Sequence, residues 1–418
     1  MKYCRRLTTL FSLAAIVLIA HCAWAAPLTL PDAIDRAIKF APTMQAAAAQ
    51  SDMSRAQVRE QRSALFPNLS TGGEYYQAPG YDDVITNRGL SAAMLMLNYT
   101  AWDWGRRQAR VRAARYVAEA AQLGVAAAQA QIAYDTSVAY YDLLRARAAT
   151  SELARSLDRL TRYVATIEAL RNSGRSNSAD TLKVRTARDA VEIALLQQQV
   201  AAQRASVNLG SLIGEFNQPD IQIVELADLP PKPAIDFSSS PVMQATRRAI
   251  SSAGLQVKAA KAERLPTMQL AFTTGFVGID PPATWSKNYG GSYDTVVSMP
   301  IFDGGLITSH IDQAKARQNS ALAQARDTEY ALNRRITDAS LRYDQSTRML
   351  ELLSRAQPNA DDSFALTWTR FLGGGDVTLL EVLDAYQRSE DLRMQRFEQE
   401  FAERESAAEI NLLAGRIR

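Results

Sequence analysis

The chain has 418 residues, with 47 Lys and Arg against 44 Asp and Glu, a formal net charge of +3 and two cysteines. Three of the basic residues, Lys2, Arg5 and Arg6, precede an N-terminal apolar run; the other 44 balance the 44 acids, so no bulk charge argues for a nucleic-acid partner. Cys4 and Cys22 both fall in that N-terminal stretch, which leaves the rest of the chain without disulfide or thiol chemistry.

The stretch MKYCRRLTTLFSLAAIVLIAHCAWAAP sets the basic residues before an apolar run from Leu7 to Ala20 and ends on Ala23-Trp24-Ala25. That order predicts a secretory signal peptide over residues 1–25. An uncleaved anchor is the weaker alternative, because the run is short for a bilayer. Lipidation at Cys22 is opposed by His21, where a small residue is required. No later segment offers about 18 consecutive apolar residues, so no inner-membrane helix is expected in the mature chain; it would be periplasmic, secreted or an outer-membrane β-barrel.

In the mature chain, PDAIDRAIKFA and the Ala-rich stretch to Ser63 read as helix ahead of Pro67. Strands are expected at about 68–78 and 90–102, around the polar loop APGYDDVITNRG, with Trp102-Asp103-Trp104-Gly105 closing the second. A helix follows over about 105–172, 68 residues that would reach roughly 100 Å, more than twice the full thickness of a bilayer. Leu153, Leu157, Leu160, Val164 and Ile167 recur along it at spacings of four and three, a coiled-coil seam.

The pattern then repeats. APTMQAAAAQ around Pro42 matches SPVMQATRRA around Pro241, and Pro67 matches Pro266, both at an offset of 199. Trp102-Asp103-Trp104-Gly105 aligns with Phe302-Asp303-Gly304-Gly305 at offset 200, and NLGSLIG echoes NLLAG at 201. Ordered matches of this kind indicate two copies of one unit, residues 26–230 and 231–418, each helix, strand, strand, long helix, helix, with the PPKP run at 230–233 as the joint. The second copy predicts strands at about 267–278 and 291–302 and a long helix at about 305–372, which Pro358 should bend or deprive of one hydrogen bond.

Strand pairs carry a period of two. Met268, Leu270, Phe272 and Phe276 share one face against Gln269, Ala271, Thr273 and Gly275, and Tyr293, Thr295, Val297, Met299 and Ile301 oppose Ser292, Asp294, Val296 and Ser298. With the aromatic flanks Tyr75, Tyr76, Tyr99, Trp102, Trp285, Tyr289 and Tyr293, this suits membrane strands better than a soluble hairpin. Four strands cannot close a barrel, so the barrel must be shared; two chains would supply eight strands and three would supply twelve.

The two repeats, Pro67 and Pro266 before the first strands, Phe302-Asp303-Gly304-Gly305 after the last, Gly373 to Gly375 followed by TLLEVLDA, and the terminal NLLAG resemble the TolC family of outer-membrane efflux proteins over nearly the whole mature chain. The resemblance implies a mainly α fold with a membrane β-barrel contribution: a homotrimer whose 12-stranded barrel in outer-membrane lipid is continued by a periplasmic α-helical barrel. It implies a passive duct of a tripartite efflux or type I secretion system, joined by a periplasmic adaptor to an inner-membrane pump of RND, ABC or MFS type. Cargo selectivity in such systems lies mainly in the pump.

The same resemblance assigns roles. Pro67, Gly105, Pro266, Gly304 and Gly305 mark strand–helix junctions, and Gly174, Arg175, Gly373, Gly374 and Gly375 mark tip turns where adaptors dock. Glu381 and Asp384 stand where the family carries carboxylates that ring the pore constriction, while Leu372 and Val377 replace a tyrosine and an arginine that help latch the tip. Without the resemblance, Glu381 and Asp384 read as a solvated helix face. Trp102 and Trp104 are expected as membrane-interface anchors, with the arginines after them solvated or touching lipid headgroups.

An enzyme reading finds little support: the mature chain has one histidine, His310, expected to be packed or solvated, and no Gly-rich phosphate loop or metal-ligand cluster, so neither cofactor nor metal is expected. The alternative from another class is a periplasmic coiled-coil adaptor or structural protein without a pore. It would share the export signal and long helices but leaves the hairpins unexplained. A diffusion porin would be mostly strand, whereas helix dominates here.

Overall fold

The computed structural model describes residues 27–81, 84, 88–216, 220–224, 229–234, 239–279 and 288–416. The expected signal peptide with Cys4 and Cys22, and Trp285, lie outside the described residues. Helix α1 spans Leu30–Phe40, opened by Thr29, whose hydroxyl accepts from the Asp32 N–H at 3.3 Å, with Pro31 in its first turn. Helix α2 spans Pro42–Ser63. The helical stretch leading to Ser63 is therefore broken at Ala41, which is extended (ψ 121°) because the ring of Pro42 disfavours helical geometry in the residue before it.

Strand β1 (Asn68–Gln77) starts directly after Pro67 and pairs with β2 (Gly89–Trp102), which leads into α3 (Arg106–Asn172) and α4 (Ser178–Ile213). The second half runs α5 (Pro241–Lys261), a 3-10 turn at Ala262–Arg264, β3 (Thr267–Ile279), β4 (Tyr289–Ser298), α6 (Leu306–Leu372) and α7 (Leu379–Ala414). Helices α3 and α6 have 67 residues each, roughly 100 Å at 1.5 Å per residue. Pro358 sits inside α6 without ending it. No helix among the described residues is long and apolar enough to cross a membrane.

Fourth strand β4 stops at Ser298, short of the expected 302. The reason is Pro300, which has no N–H for the ladder and restricts Met299 before it. The first copy has no proline there, and β2 runs on to Trp102.

The four strands form one antiparallel sheet in the order β1-β2-β3-β4, so the β2–β3 pair joins the two halves of the chain. Register sets the rows. Leu69, Leu97, Phe272 and Tyr293 lie in line across the four strands, as do Thr71, Leu95, Thr274 and Gly291. On the opposite face the rows are Ser70, Met96, Thr273 and Ser292, then Asn68, Asn98, Ala271 and Asp294. Side chains alternate along a strand, so one face collects leucines and aromatics across both copies, and the other collects amides, hydroxyls and carboxylates. Both faces carry exposed side chains in the single chain, with Tyr293 86% and Val296 51% accessible.

Long helix α3 is the spine of the helical layer. At the sheet end it packs against α2 and α5, and further along against α4 and α7, while α6 packs on α5 and then α7. The core midway along α3 gathers Ala33, Ala37, Tyr140, Leu143, Leu209 and Ile213 with Leu28 and Ile221. A parallel bridge joins Leu28 to Ile223, and the Tyr140 hydroxyl, fully buried, lies 2.7 Å from the Val224 carbonyl and 3.0 Å from that of Leu28. The N-terminal strap and the connection between the copies are thus tied to the same turn of α3.

Candidate functional site

The junction between sheet and helix is built from one carboxylate in each copy. Asp303 Oδ2 accepts from the Ile307 N–H at 2.7 Å and Oδ1 from the Gly305 N–H at 2.9 Å, satisfying donors that the start of α6 would otherwise leave open. These N–H groups, Ile307 first, hold the Asp303 carboxyl below its ordinary range. The chain reaches the helix through two successive left-handed residues, Gly304 (φ 65°) and Gly305 (φ 92°). In the first copy the same pair is Trp104 (φ 54°) and Gly105 (φ 79°). A tryptophan there carries backbone strain that glycine does not, of order 1–3 kcal/mol.

Added to the first junction is an arginine. Arg107 Nε lies 2.8 Å from Asp103 Oδ2, Nη1 donates to the Ala64 carbonyl at the end of α2 at 2.8 Å, and Nη2 donates to the Thr100 carbonyl. The Arg107 N–H reaches Asp103 Oδ2 at 2.9 Å. Burial alone would raise the Asp103 pKa, but the Arg107 hydrogen bonds and charge outweigh it, and the carboxyl titrates below its ordinary range. Arg107 is therefore neither solvated nor free for lipid, contrary to the expectation for the arginines after Gly105. Its counterpart in the second copy is Ile307, so the duplication gave no hint of the clamp.

The Thr100 carbonyl needs a donor because β2 bulges beside it. Thr100 pairs with Gln269, but Trp102 pairs with Met268, leaving Ala101 extra. The extra residue puts Trp102 in the row of Met268, on the apolar face, where strict alternation would have placed it among the polar residues. Trp102 and Trp104 meet edge to face at 5.9 Å, both about half exposed.

At the far end the two tips come together. Gly174 (φ 75°) and Gly374 (φ 78°) make left-handed turns, and Arg175 Nη2 donates to the Leu372 carbonyl at 2.7 Å. Gly373, Gly374 and Gly375 are all exposed. Val377 packs with Val164, Ile167, Val184, Leu379 and Val382. Around them Tyr163 approaches Trp368 at 4.5 Å, and Phe364 lies 5.3 Å from Tyr386. Glu381 sits in the first turn of α7, where its Oε2 accepts from the Thr378 N–H at 2.7 Å in a capping box. Asp384, exposed, pairs with Arg388 at 2.8 Å.

Above the tip lies a charged network that the sequence pattern missed. Glu152 is 4% exposed and accepts from Arg159 Nη2 at 2.9 Å and Arg393 Nη1 at 3.0 Å. Glu390 receives two bonds from Arg159 at 2.7 and 2.8 Å, and Arg393 also reaches Glu390 and, on α6, Asp361. Burial opposes ionisation of Glu152, yet the two arginines outweigh it and hold the carboxyl below its ordinary value. Three helices from both copies are thereby bound by charge. His310 Nδ1 lies 3.0 Å from Glu263 Oε2, and no cluster of three metal-ligating side chains occurs among the described residues.

Comparison with known proteins gives these ends a context. The family model described as "Outer membrane efflux protein" matches residues 33–215 and 237–416. The "Toluene efflux pump outer membrane protein TtgF" of Pseudomonas putida is 24% identical over 346 residues, covering 79% of this chain and 71% of its own. "Outer membrane protein TolC" of Escherichia coli is 21% identical over 388 residues, 85% of this chain and 76% of its own. Among solved structures, the outer membrane protein VceC from Vibrio cholerae superposes with a TM-score of 0.82 at 20% identity, covering 93% of this chain and 97% of that one.

Removing Arg107 would strand the buried Asp103 carboxylate and the Thr100 carbonyl together. Arg107→Ala is expected to cost about 3 kcal/mol, read as a lower midpoint in thermal unfolding, whereas Ile307→Ala at the matching position should cost about 1 kcal/mol. Glu152 contributes stability above the ordinary carboxylate value of 4.5, lost as pH falls through its depressed folded value. Glu152→Gln should therefore lower the unfolding midpoint most at pH 7, with the difference from wild type shrinking below pH 4.5.

Proposed function

The chain belongs to the outer membrane efflux protein family, and from that premise we propose that it is the passive outer-membrane exit duct of a tripartite efflux or type I secretion system. In this reading the sheet meets outer-membrane lipid, the helices extend into the periplasm, and an adaptor and an inner-membrane pump are its partners. The family is one of channel-type efflux proteins rather than enzymes. The observation that carries the proposal is the sheet: one face with most of its leucines and aromatics, an opposite face richer in amides and hydroxyls, and two end strands whose outer edges are unpaired.

Unpaired edges in hydrocarbon are costly, several kcal/mol per unsatisfied group. They are relieved if β4 of one chain pairs with β1 of the next. The helical layer supports the same closure, since its flanks are α2 and α4 on one side and α6 on the other. Leu182, Ile193, Leu196, Val200 and Val207 are exposed along α4 at heptad-like spacings, and Leu322, Tyr330, Leu341, Leu352 and Leu366 are exposed along α6. Such stripes are covered when α6 of one copy lies against α4 of its neighbour. Two copies would close eight strands, whose interior side chains fill; three copies and twelve strands are the first ring with an aqueous lumen.

At the tip, Glu381 and Asp384 are assigned to a ring of six carboxylates near the constriction. Their hydrogen bonds alter how the ring should be tested. Glu381→Ala would also remove the cap of α7, about 1 kcal/mol, while Glu381→Gln keeps a capping side chain and removes the charge. A purified preparation should have the native mass of a trimer and conduct in planar bilayers, and the double variant Glu381→Gln with Asp384→Asn should lower cation selectivity. A soluble monomer without conductance would reject the duct, and unchanged selectivity would reject the ring.

A further inference from the structure

Resting on the reading that the apolar sheet face meets lipid, we propose that the groove between α3 and α5, just below Trp102 and Trp104, binds an anionic glycerophospholipid of the periplasmic leaflet, its phosphate held between Arg112 and Lys258. Two adjoining surface grooves, about 410 and 520 Å³, share Arg112, Leu255 and Lys258 as lining. The first is lined at its upper end by Trp102 and Trp104, and the second extends down past Arg115 to Tyr116 and Glu119. The bulge puts Trp102, at one wall of the groove, in the apolar row of the sheet that the proposed function sets against lipid.

Chemistry changes along the groove in the order a phospholipid needs. Aromatic edges come first, then Lys258 and Arg112, with Leu255 about one turn of α5 farther from the sheet, then Arg115. Arg112 lies seven residues past Gly105, roughly 10 Å along the helix axis, and side chains of α3 lean toward its N-terminus and so toward the membrane. The polar layer of one leaflet is about 7 Å deep, within reach of an arginine or lysine that extends its charge along an apolar surface.

Three nearby arginines have acidic partners and these cations do not. Arg107 pairs with Asp103, Arg110 with Glu263 at 2.9 Å, and Arg248 with Glu119 at 3.2 Å, whereas Arg112, Arg115 and Lys258 are exposed and form no ion pair among the described residues. The second copy is an internal control. Asp312 stands at the position of Arg112 and is paired with Lys315 at 3.2 Å. The fold therefore does not require a cation at this position of the long helix.

Native mass measurement of the full chain in detergent tests the site. Wild type should retain phosphatidylglycerol in preference to phosphatidylcholine, and glycerophosphate should not displace it. The double variant Arg112→Gln with Lys258→Gln should weaken phosphatidylglycerol retention by about thirtyfold, the effect of two surface cations on an anionic lipid. Arg112→Lys with Lys258→Arg should keep retention, and Lys315→Gln should leave it unchanged. Equal retention by the charge-neutralised variant, or no preference for phosphatidylglycerol in wild type, overturns the inference. Glycerophosphate competing as well as the lipid also overturns it, as a free-anion site. Oligomer mass and bilayer conductance are read on the same preparation: intact values without lipid preference sink the lipid site alone, and their loss in wild type sinks the duct.

Discussion

Backbone N–H and C=O groups have no partner in hydrocarbon, and a sheet with two open edges carries two full rows of them. Placed in the outer membrane as proposed, the four-stranded sheet of this chain meets that constraint only in company. Its β1 and β4 edges are open, while its inner pairs, including the β2–β3 seam between the copies with its single bulge, are hydrogen-bonded. The helices follow the same plan, with well-packed interior neighbours and exposed apolar stripes on α4 and α6 at the flanks. One chain is therefore a tile whose two sides differ, and the proposed channel is what such tiles would make on closing.

Within the tile, equal geometry is reached by unequal chemistry. Both copies turn from strand to helix over two left-handed residues and cap the helix with an aspartate. The second does so with two glycines and backbone donors. The first accepts strain at Trp104 and a bulge at Ala101, then stabilises both with Arg107, which joins α2, β2 and α3. The difference places a tryptophan pair and a basic groove at one junction and nothing comparable at the other. At the opposite end, main-chain acceptance by Leu372, an aromatic cluster and the Glu152–Arg159–Glu390–Arg393 network bind the two helical pairs together.

Much of this was legible because it is local. The alternation along β3 and β4, and the Pro and Asp-x-Gly punctuation, lie in consecutive residues, and the offset of about 200 makes the duplication visible. Of the seam Leu153, Leu157, Leu160, Val164 and Ile167, the last three are buried and the first two only half-buried. What stayed hidden depends on residues far apart or on register. Glu152 and Ser156 occupy the next buried places along that seam, where an apolar pattern finds no signal, and Glu152 is paired with Arg393, 241 positions away, as well as with Arg159 on its own helix. The bulge is an event between strands, invisible in either one. Glu381 reads as a pore-ring carboxylate by resemblance and as a solvated face without it; neither reading catches its capping box with Thr378, although Thr-x-x-Glu is itself a sequence signature. The early end of β4 likewise had its cause in plain sight at Pro300.

The two-sidedness of the tile has a genetic consequence. In a ring built head to tail, each chain offers one edge and accepts another, so a copy damaged only along β4 or α6 still joins through its sound β1 and α4 side. It occupies a place in the growing ring and then fails to receive the next member. Such an allele would poison assemblies that contain normal subunits, and its harm would grow with its share of the pool. A copy damaged on both sides would simply stay out of the ring and behave as recessive.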